Sequence, residues 1–282
     1  MKIYIVIPAH NEAEFIGQTL TSLVNQTLKP EKLVIVDDQS EDDTAAIVEK
    51  FAAQYSWISL VKTISSEAHL PGSKVINAFQ KGLETLDDNY NVVCKFDADL
   101  IFPETYLETI AAHFKTDHRI GMCGGFCHIL SREKWVPENL TDNDHIRGAL
   151  KAYRKACFKD IGGLKPSMGW DTVDELLAQY HGWKIKTDPS LMVKHLRPTG
   201  TTYNKAAKFK QGQAFYKLRY GFVITSIAAA KLAAKKKNPA LFKDYLQGYF
   251  QAKRQKNSFL VDEKEGAFIR RLRYRKMLSK LF

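Results

Sequence analysis

Asp97 and Asp99 are the residues whose type and spacing most directly suggest chemistry. They close an apolar run, Val92, Val93, Cys94 and Phe96, that reads as a short buried strand opening into a loop. On a strand, positions i and i+2 project to one face, so both carboxylates can converge on one object. Held together at neutral pH they repel unless a cation lies between them. A hard, oxygen-seeking cation, Mg²⁺ or Mn²⁺, suits them, with phosphate oxygens of a substrate completing its shell. Asp-X-Asp is also common by chance, and both acids would serve equally as solvated loop residues or helix caps. The surrounding elements decide its weight.

Those elements follow from the apolar pattern. Residues 3–7 form a buried strand that stops at Pro8, and a helical pattern through Phe15, Ile16, Leu20 and Leu23 follows Asn11-Glu12. Leu33 to Val36 is a second strand ending in Asp37-Asp38-Gln39-Ser40, and Asp42 or Asp43 caps the next helix. A strand over 57–64, a helix after Gly72-Ser73 and the strand at 92–96 continue the alternation. Repeated strand–helix alternation predicts an α/β fold with a mostly parallel sheet and right-handed crossovers. Ligands of such sheets lie beyond the carboxyl ends of the strands. His10-Asn11-Glu12, Asp37-Asp38 and Asp97/Asp99 should therefore face one crevice. No Gly-X-Gly-X-X-Gly follows the first strand, and there is no Walker lysine. An acidic crevice without a glycine cradle needs a bridging metal to hold phosphate, which fits a nucleoside diphosphate. Further on, 115–148 reads as sheet followed by a mobile loop with a polar stretch over 137–144. Residues 148–158 read as a helix through Leu150, Tyr153, Ala156 and Cys157.

The 282 residues carry a net charge of +11, unevenly placed. Residues 205–282 hold 20 Lys and Arg against 4 Asp and Glu, a local +16 on a body of −5. Such a tail suits nucleic acid or an anionic membrane surface. It is helical by pattern, with one aromatic and aliphatic stripe through Phe215, Phe222, Val223, Ile224 and Ile227. A second runs through Leu241, Phe242, Tyr245, Leu246, Tyr249 and Phe250. Helices of this kind either lie in a membrane interface or dock on the body, and the interface is favoured. No apolar run reaches the roughly 18 to 20 residues that span a bilayer. The N-terminus reads as a strand, not a secretory signal. The cysteines, Cys94, Cys123, Cys127 and Cys157, make no Cys-X-X-Cys pair and are expected as free buried thiols of a reducing cytosol. A Cys123/Cys127/His128 metal cluster lacks a fourth ligand and is disfavoured.

Several segments together resemble glycosyltransferase family 2. They are Ile5-Val6-Ile7-Pro8-Ala9-His10-Asn11-Glu12, Val34-Ile35-Val36-Asp37-Asp38-Gln39-Ser40 with Asp42 and Thr44, Phe96-Asp97-Ala98-Asp99, and Asp160-Ile161-Gly162-Gly163-Leu164. Trp170-Asp171, followed by Gly182-Trp183, completes the set. The resemblance implies a GT-A fold over 1–202, with a nucleotide-binding half (1–100), an acceptor-binding half (101–202) and a helical basic region (203–282). It implies an inverting transferase that moves one sugar from a UDP- or GDP-linked donor to a hydroxyl of a glycan or lipid-linked acceptor. Cell-surface polysaccharide or lipopolysaccharide synthesis is the expected setting. Processive members carry Gln-X-X-Arg-Trp and transmembrane helices, and this sequence shows neither.

Residue by residue, the resemblance puts the base and ribose against Pro8, Ala9, Asn11, Glu12 and Asp38. Ser73, Asp97 and Ala98 complete the donor contacts. Asp97 and Asp99 become ligands of Mn²⁺ or Mg²⁺, with His195, at the end of a short strand, a third. The catalytic base falls on Asp171, with Asp174 one turn along the same helix face as second candidate. The family's glutamate before the base is here Trp170. The expected location is cytoplasmic, peripheral on the inner face of the cell membrane through 203–282. Two other readings are weighed. A nucleotidyltransferase would want a Gly-rich phosphate loop carrying Lys or Arg, which 9–12 is not. A nucleic-acid-binding protein would want aromatic platforms interleaved with the charge, and no such module is found.

Overall fold

The apolar runs of the first hundred residues become strands because both of their faces are covered, as in buried parallel sheets. In the computed structural model, which describes residues 1–64, 72–138, 143–198 and 209–279, β1 (Ile3–Ala9), β2 (Lys32–Asp38) and β4 (Val92–Phe96) are almost wholly buried. Helices α1 (Ile16–Val24), α2 (Thr44–Gln54) and α3 (Ser73–Glu84) alternate with them and with β3 (Ile58–Thr63). The N-cap residue of α2 is Asp43, whose side chain makes no capping bond, while Asp42 Oδ1 accepts from the backbone N–H of Thr44 at 3.0 Å. A Cβ on Gly82 of α3 would lie 2.6 Å from Val6 and Val36, so only glycine allows this helix its seat on the sheet.

The remaining elements are β5 (Leu100–Ile101), α4 (Tyr106–Thr116), β6 (Ile120–Ser131), β7 (Lys134–Pro137), β8 (Leu150–Arg154), α5 (Lys155–Asp160), α6 (Trp170–Tyr180) and β9 (Lys184–His195). The strand order is β3-β2-β1-β4-β8-β6-β9-β5, with β7 paired to β6. The sheet is parallel from β3 to β4. Beyond β4 it is mixed: β8 runs antiparallel to β4 and β6, β6 and β9 are parallel, and β5 is antiparallel to β9. The helix expected over 148–158 is a correction: 150–154 is the strand β8, and helix begins only at Lys155. Wedged between two strands, β8 is buried on both faces and lacks the polar alternation that betrays a strand.

Four helices close the chain, α7 (Lys210–Lys217), α8 (Gly221–Lys235), α9 (Ala240–Arg254) and α10 (Glu263–Leu278). The apolar stripes of this region divide. Phe215, Ile224, Tyr245 and Tyr249 are buried, whereas Phe222, Val223, Ile227 and Phe250 stand exposed. Helix α10 opens with a capping box between Asp262 and Glu265. It reaches the body through Phe268 against Tyr180, ring centroids 5.6 Å apart, and through Lys276 to Asp144 at 2.6 Å. The boundary expected at 202–203, and much of the loop expected over 137–144, lie outside the described residues. Among the described residues, no helix is long and apolar enough to cross a membrane.

Candidate active site

Strands β2, β1 and β4 are neighbours, so their carboxyl ends emerge side by side, with Ala9 level with Asp37. The first two ends are laced together. Asn11 donates its backbone N–H to Ser40 Oγ at 2.9 Å, and its Oδ1 accepts from the Glu41 N–H at 2.8 Å. Glu12 N donates to Thr44 Oγ1 at 2.8 Å, and His10 Nδ1 lies 2.6 Å from the Asp38 carbonyl oxygen. Asn11 and Gln39 take left-handed backbone angles (φ 54° and 58°), which asparagine tolerates better than most residues. Asn11 thus builds the crevice wall with the atoms expected to meet a ligand.

The other expected donor contacts fall as follows. Pro8 and Ala9 end β1 beside Val36 and Asp37, and Asp38 ends β2, largely buried. The Ser73 hydroxyl donates to the carbonyl of Pro166 at 3.1 Å, tying α3 to the second half. Ala98 is buried, its carbonyl accepting from Thr19 Oγ1 at 2.6 Å. Glu12 receives both arms of the Arg197 guanidinium at 3.0 Å, and that guanidinium lies 5.0 Å from the Phe15 ring centroid. Burial pushes the Glu12 carboxyl up to about 7 despite Arg197, and the nearby Asp99 and Asp97 add to the rise.

Asp97 and Asp99 do not share one partner. Asp97 accepts from Lys95, a lysine buried two residues earlier on the same strand face. Asp99 meets His195, Oδ2 to Nε2 at 3.4 Å, because β5 and β9 pair with Leu100 opposite His195. The other imidazole nitrogen, Nδ1, donates to Glu138 Oε2 at 2.9 Å, since an ionised carboxylate can only accept. Glu138 is paired in turn with Arg147. Nε2 faces Asp99, and a histidine whose other nitrogen is held by a carboxylate has the orientation in which a ring nitrogen could ligate a metal.

The donor set fits a divalent ion of the expected kind. Two ligands at right angles, each ~2.1 Å from an octahedral hard cation, stand about 3 Å apart, close to the observed 3.4 Å. One carboxylate oxygen and one imidazole nitrogen favour Mn²⁺ over Mg²⁺. The disfavoured cysteine cluster is absent in that form among the described residues, where all four thiols are free and buried. Ligand atoms of Cys127, Glu138 and His195 do lie within 4.8 Å of one another, and burial pushes the Cys127 thiol up to about 12.

Helix α6 carries the two aspartates considered for the base and treats them oppositely. Asp174 is 1% exposed, held by Lys151 Nζ at 2.8 Å on both oxygens and by the Tyr153 hydroxyl at 2.5 Å. Burial pushes its carboxyl up, against the pull of Lys151. Its oxygens are taken by Lys151, Tyr153 and the backbone N–H of Glu175, so Asp174 sits inside a buried network. Asp171, in the first turn, has a side chain 35% exposed. His145 Nε2 lies 3.7 Å from its Oδ2, while His145 Nδ1 donates to Glu175 at 2.9 Å. Partial burial pushes Asp171 up, but His145 and Lys151 outweigh this and hold it below the ordinary carboxylate value. Burial alone would lower the His145 imidazole; Asp171 and Glu175 reverse this and raise it to about 9. The indole of Trp170 fills the space between the halves, with Lys95 Nζ 5.3 Å and Lys151 Nζ 5.7 Å from its ring centroid.

Sequence reading missed Lys95, Glu138, His145, Arg147, Lys151, Glu175 and Arg197. Two left a trace: Lys95 lies two positions before Asp97, and Lys151 alternates with Tyr153 on β8. The others meet their partners only through the tertiary fold.

The residues that converge here come from a parallel nucleotide-type half-sheet and a mixed second half, the plan of a sugar-nucleotide transferase crevice. The model of the family described as Glycosyl transferase family 2 matches residues 4–161, and the chain belongs to that family. A probable glycosyltransferase, YdaM, of Bacillus subtilis is 29% identical over 135 residues, covering 47% of this chain and 31% of that protein. The chain spans about a third of the length of the first curated relatives it matches. Among solved structures, the mannosyltransferase PcManGT of Pyrobaculum calidifontis, in complex with GDP-Man and Mn²⁺, superposes with a TM-score of 0.59 at 16% identity. The match covers 100% of this chain and 81% of that one. TarS 1-349 of S. aureus, in complex with UDP-GlcNAc, gives 0.56 at 16% identity over 89% and 73%. The GT-A fold expected from the sequence is the fold observed.

Proposed function

We propose that the chain is an inverting glycosyltransferase that moves one sugar from a nucleoside-diphosphate donor to a hydroxyl of a glycan or lipid-linked acceptor. The observation that carries this is the bridge across the crevice. Asp97 holds Lys95, Lys95 lies on Trp170, and Trp170 is followed by Asp171, so the donor strand end and the helix bearing a base meet at one place. In this reading the loop at 8–12 and Asp38 receive base and ribose, and Asp99 with His195 holds Mn²⁺ or Mg²⁺, Asp97 completing that side. When bound, the ion neutralises charge developing on the departing diphosphate. Asp171 takes the proton from the acceptor hydroxyl as its oxygen attacks the anomeric carbon. His145 keeps Asp171 ionised and oriented, and Glu138 keeps Nε2 of His195 available.

Structures of like fold hold GDP-Man in one case and UDP-GlcNAc in another, so either base suits the donor site in this reading. The proposed setting is surface polysaccharide or lipopolysaccharide synthesis at the cytoplasmic face of the membrane, which the region 203–282 touches. A thermal-shift panel of UDP- and GDP-sugars, with and without Mn²⁺, tests the reading. A ligand that binds only the folded state raises its melting temperature by several degrees at large excess over Kd. A Mn²⁺-dependent shift with one nucleotide series, lost in Asp99→Ala, is the expected result. No shift with any nucleotide sinks the proposal.

A further inference from the structure

Helices α8 and α9 turn one face to the fold and the other outward. Ile224, Ala229 and Ala233 of α8 and Tyr245, Gly248 and Tyr249 of α9 are buried. A Cβ on Gly248 would lie 2.0 Å from the carbonyl of Phe209, so α9 is seated too closely to roll over. The outward face is apolar. Phe222 is 52%, Val223 54%, Ile227 45% and Phe250 45% exposed. They form one patch, since the rings of Phe222 and Phe250 are 5.8 Å apart and Val223 and Ile227 stand one turn apart.

The charge around that patch selects its occupant. Residues 217–256 contain ten Lys and Arg against one acid, Asp244, which is buried. Lys231, Lys235, Lys243, Lys253 and Arg254 are all exposed. A second copy of the chain would bring a like charge against each of these cations. Nucleic acid would engage the lysines but gain little from Val223 and Ile227. An anionic bilayer rewards both features, lipid headgroups drawing the cations and the acyl boundary taking the apolar side chains. We infer that the α8–α9 face docks on an anionic lipid surface, with Phe222, Val223, Ile227 and Phe250 entering the headgroup–acyl boundary. This names the surface behind the membrane contact of the proposed function and rests on that part of it, not on the donor chemistry.

The test is flotation of the full chain with vesicles of phosphatidylglycerol and phosphatidylcholine, against phosphatidylcholine alone. The comparison variant is Phe222→Gln/Val223→Gln/Ile227→Gln, in which every changed position is solvent-facing and glutamine keeps the helix. Wild type is expected on the anionic vesicles only, with the variant's partition coefficient at least about tenfold lower. Ile227→Trp gives a direct readout in an otherwise intact chain: brominated lipids should quench its added fluorescence. Equal partition of variant and wild type, no quenching, or no binding to anionic vesicles overturns the inference. So does a wild-type dimer in sedimentation that the triple variant abolishes, which would give the face to a second copy. Nucleotide-induced melting shifts are measured on the same samples. Their absence, with vesicle binding intact, would sink the transferase reading and leave this one standing.

Discussion

The two halves of the crevice handle charge differently. In the first hundred residues, acids stand at strand ends, Asp97 against Lys95 and Glu12 against Arg197, and the loops around them are laced by neutral hydrogen bonds such as Asn11 to Ser40 and Glu12 to Thr44. In the second half, charged groups are driven inside and neutralise one another. Lys151 is fully buried against Asp174 and Glu175, and His145 lies between Glu175 and Asp171. Burial penalises a charge unless a partner is fixed beside it, so such a network holds position but tolerates no loss. The first half therefore keeps its acids at the strand ends, and the second ties Asp174 and Glu175 to Lys151 and His145 while the Asp171 side chain stays partly exposed.

The sharpest break of this contrast uses the aspartates of α6. Asp171→Asn is expected to slow release of nucleoside diphosphate in the presence of acceptor by about a thousandfold, with a smaller loss of stability than Asp174→Asn because only its share of the His145 pairing goes. Asp174→Asn leaves Lys151 short of its counter-charge and should lower folding stability by about 3 kcal/mol, read by urea denaturation. The reverse pattern would exchange their roles. A comparable effect is expected with pH. The His145 imidazole rises to about 9 in the folded chain, so its stabilisation is complete below its unfolded value and fades as pH climbs through 9. That contribution amounts to about 3 kcal/mol, and His145→Gln should flatten stability between pH 6.5 and 9 in thermal melts.

Smaller effects sharpen the comparison at its seam. Glu138→Gln leaves His195 without its fixed orientation and should weaken Mn²⁺ binding by about ten- to a hundredfold, measured by calorimetric titration. An unchanged Mn²⁺ affinity would separate His195 from the metal. Ser40→Ala, in the first half, removes one neutral hydrogen bond and should cost only about 1 kcal/mol. Its melting temperature decides whether the lacing is as weakly loaded as the contrast requires.

Legibility in the sequence follows the same divide. The first half could be read because each strand, its terminal acids and its following helix lie within about thirty residues, and periodicity marks them. Asp99 and His195 were singled out, but their meeting depends on β5 pairing with β9, and on Glu138 approaching from yet another strand end. In the second half, β8 was hidden because burial on both faces removes alternation, and with it went Lys151. On their helix, the resemblance puts Asp171 first for the base and Asp174 second, one turn along. What separates them is a lysine and a tyrosine more than twenty residues upstream, and no local pattern encodes that.

Helix α10 makes the C-terminal helices more than an appendage. Its Lys276 grips Asp144, the neighbour of His145, and its Phe268 packs on Tyr180 at the far end of the helix that begins with Trp170 and Asp171. Ile224 and Ile269 belong to the same apolar core as β1 and β4. A fragment ending near residue 198 would thus lose part of its own interior, along with the grip on His145, and would be a damaged protein rather than a minimal one. The thermodynamic counterpart is cooperativity: calorimetry on the whole chain should show one unfolding transition whose van't Hoff and measured enthalpies agree, not a separate early melt of the helices.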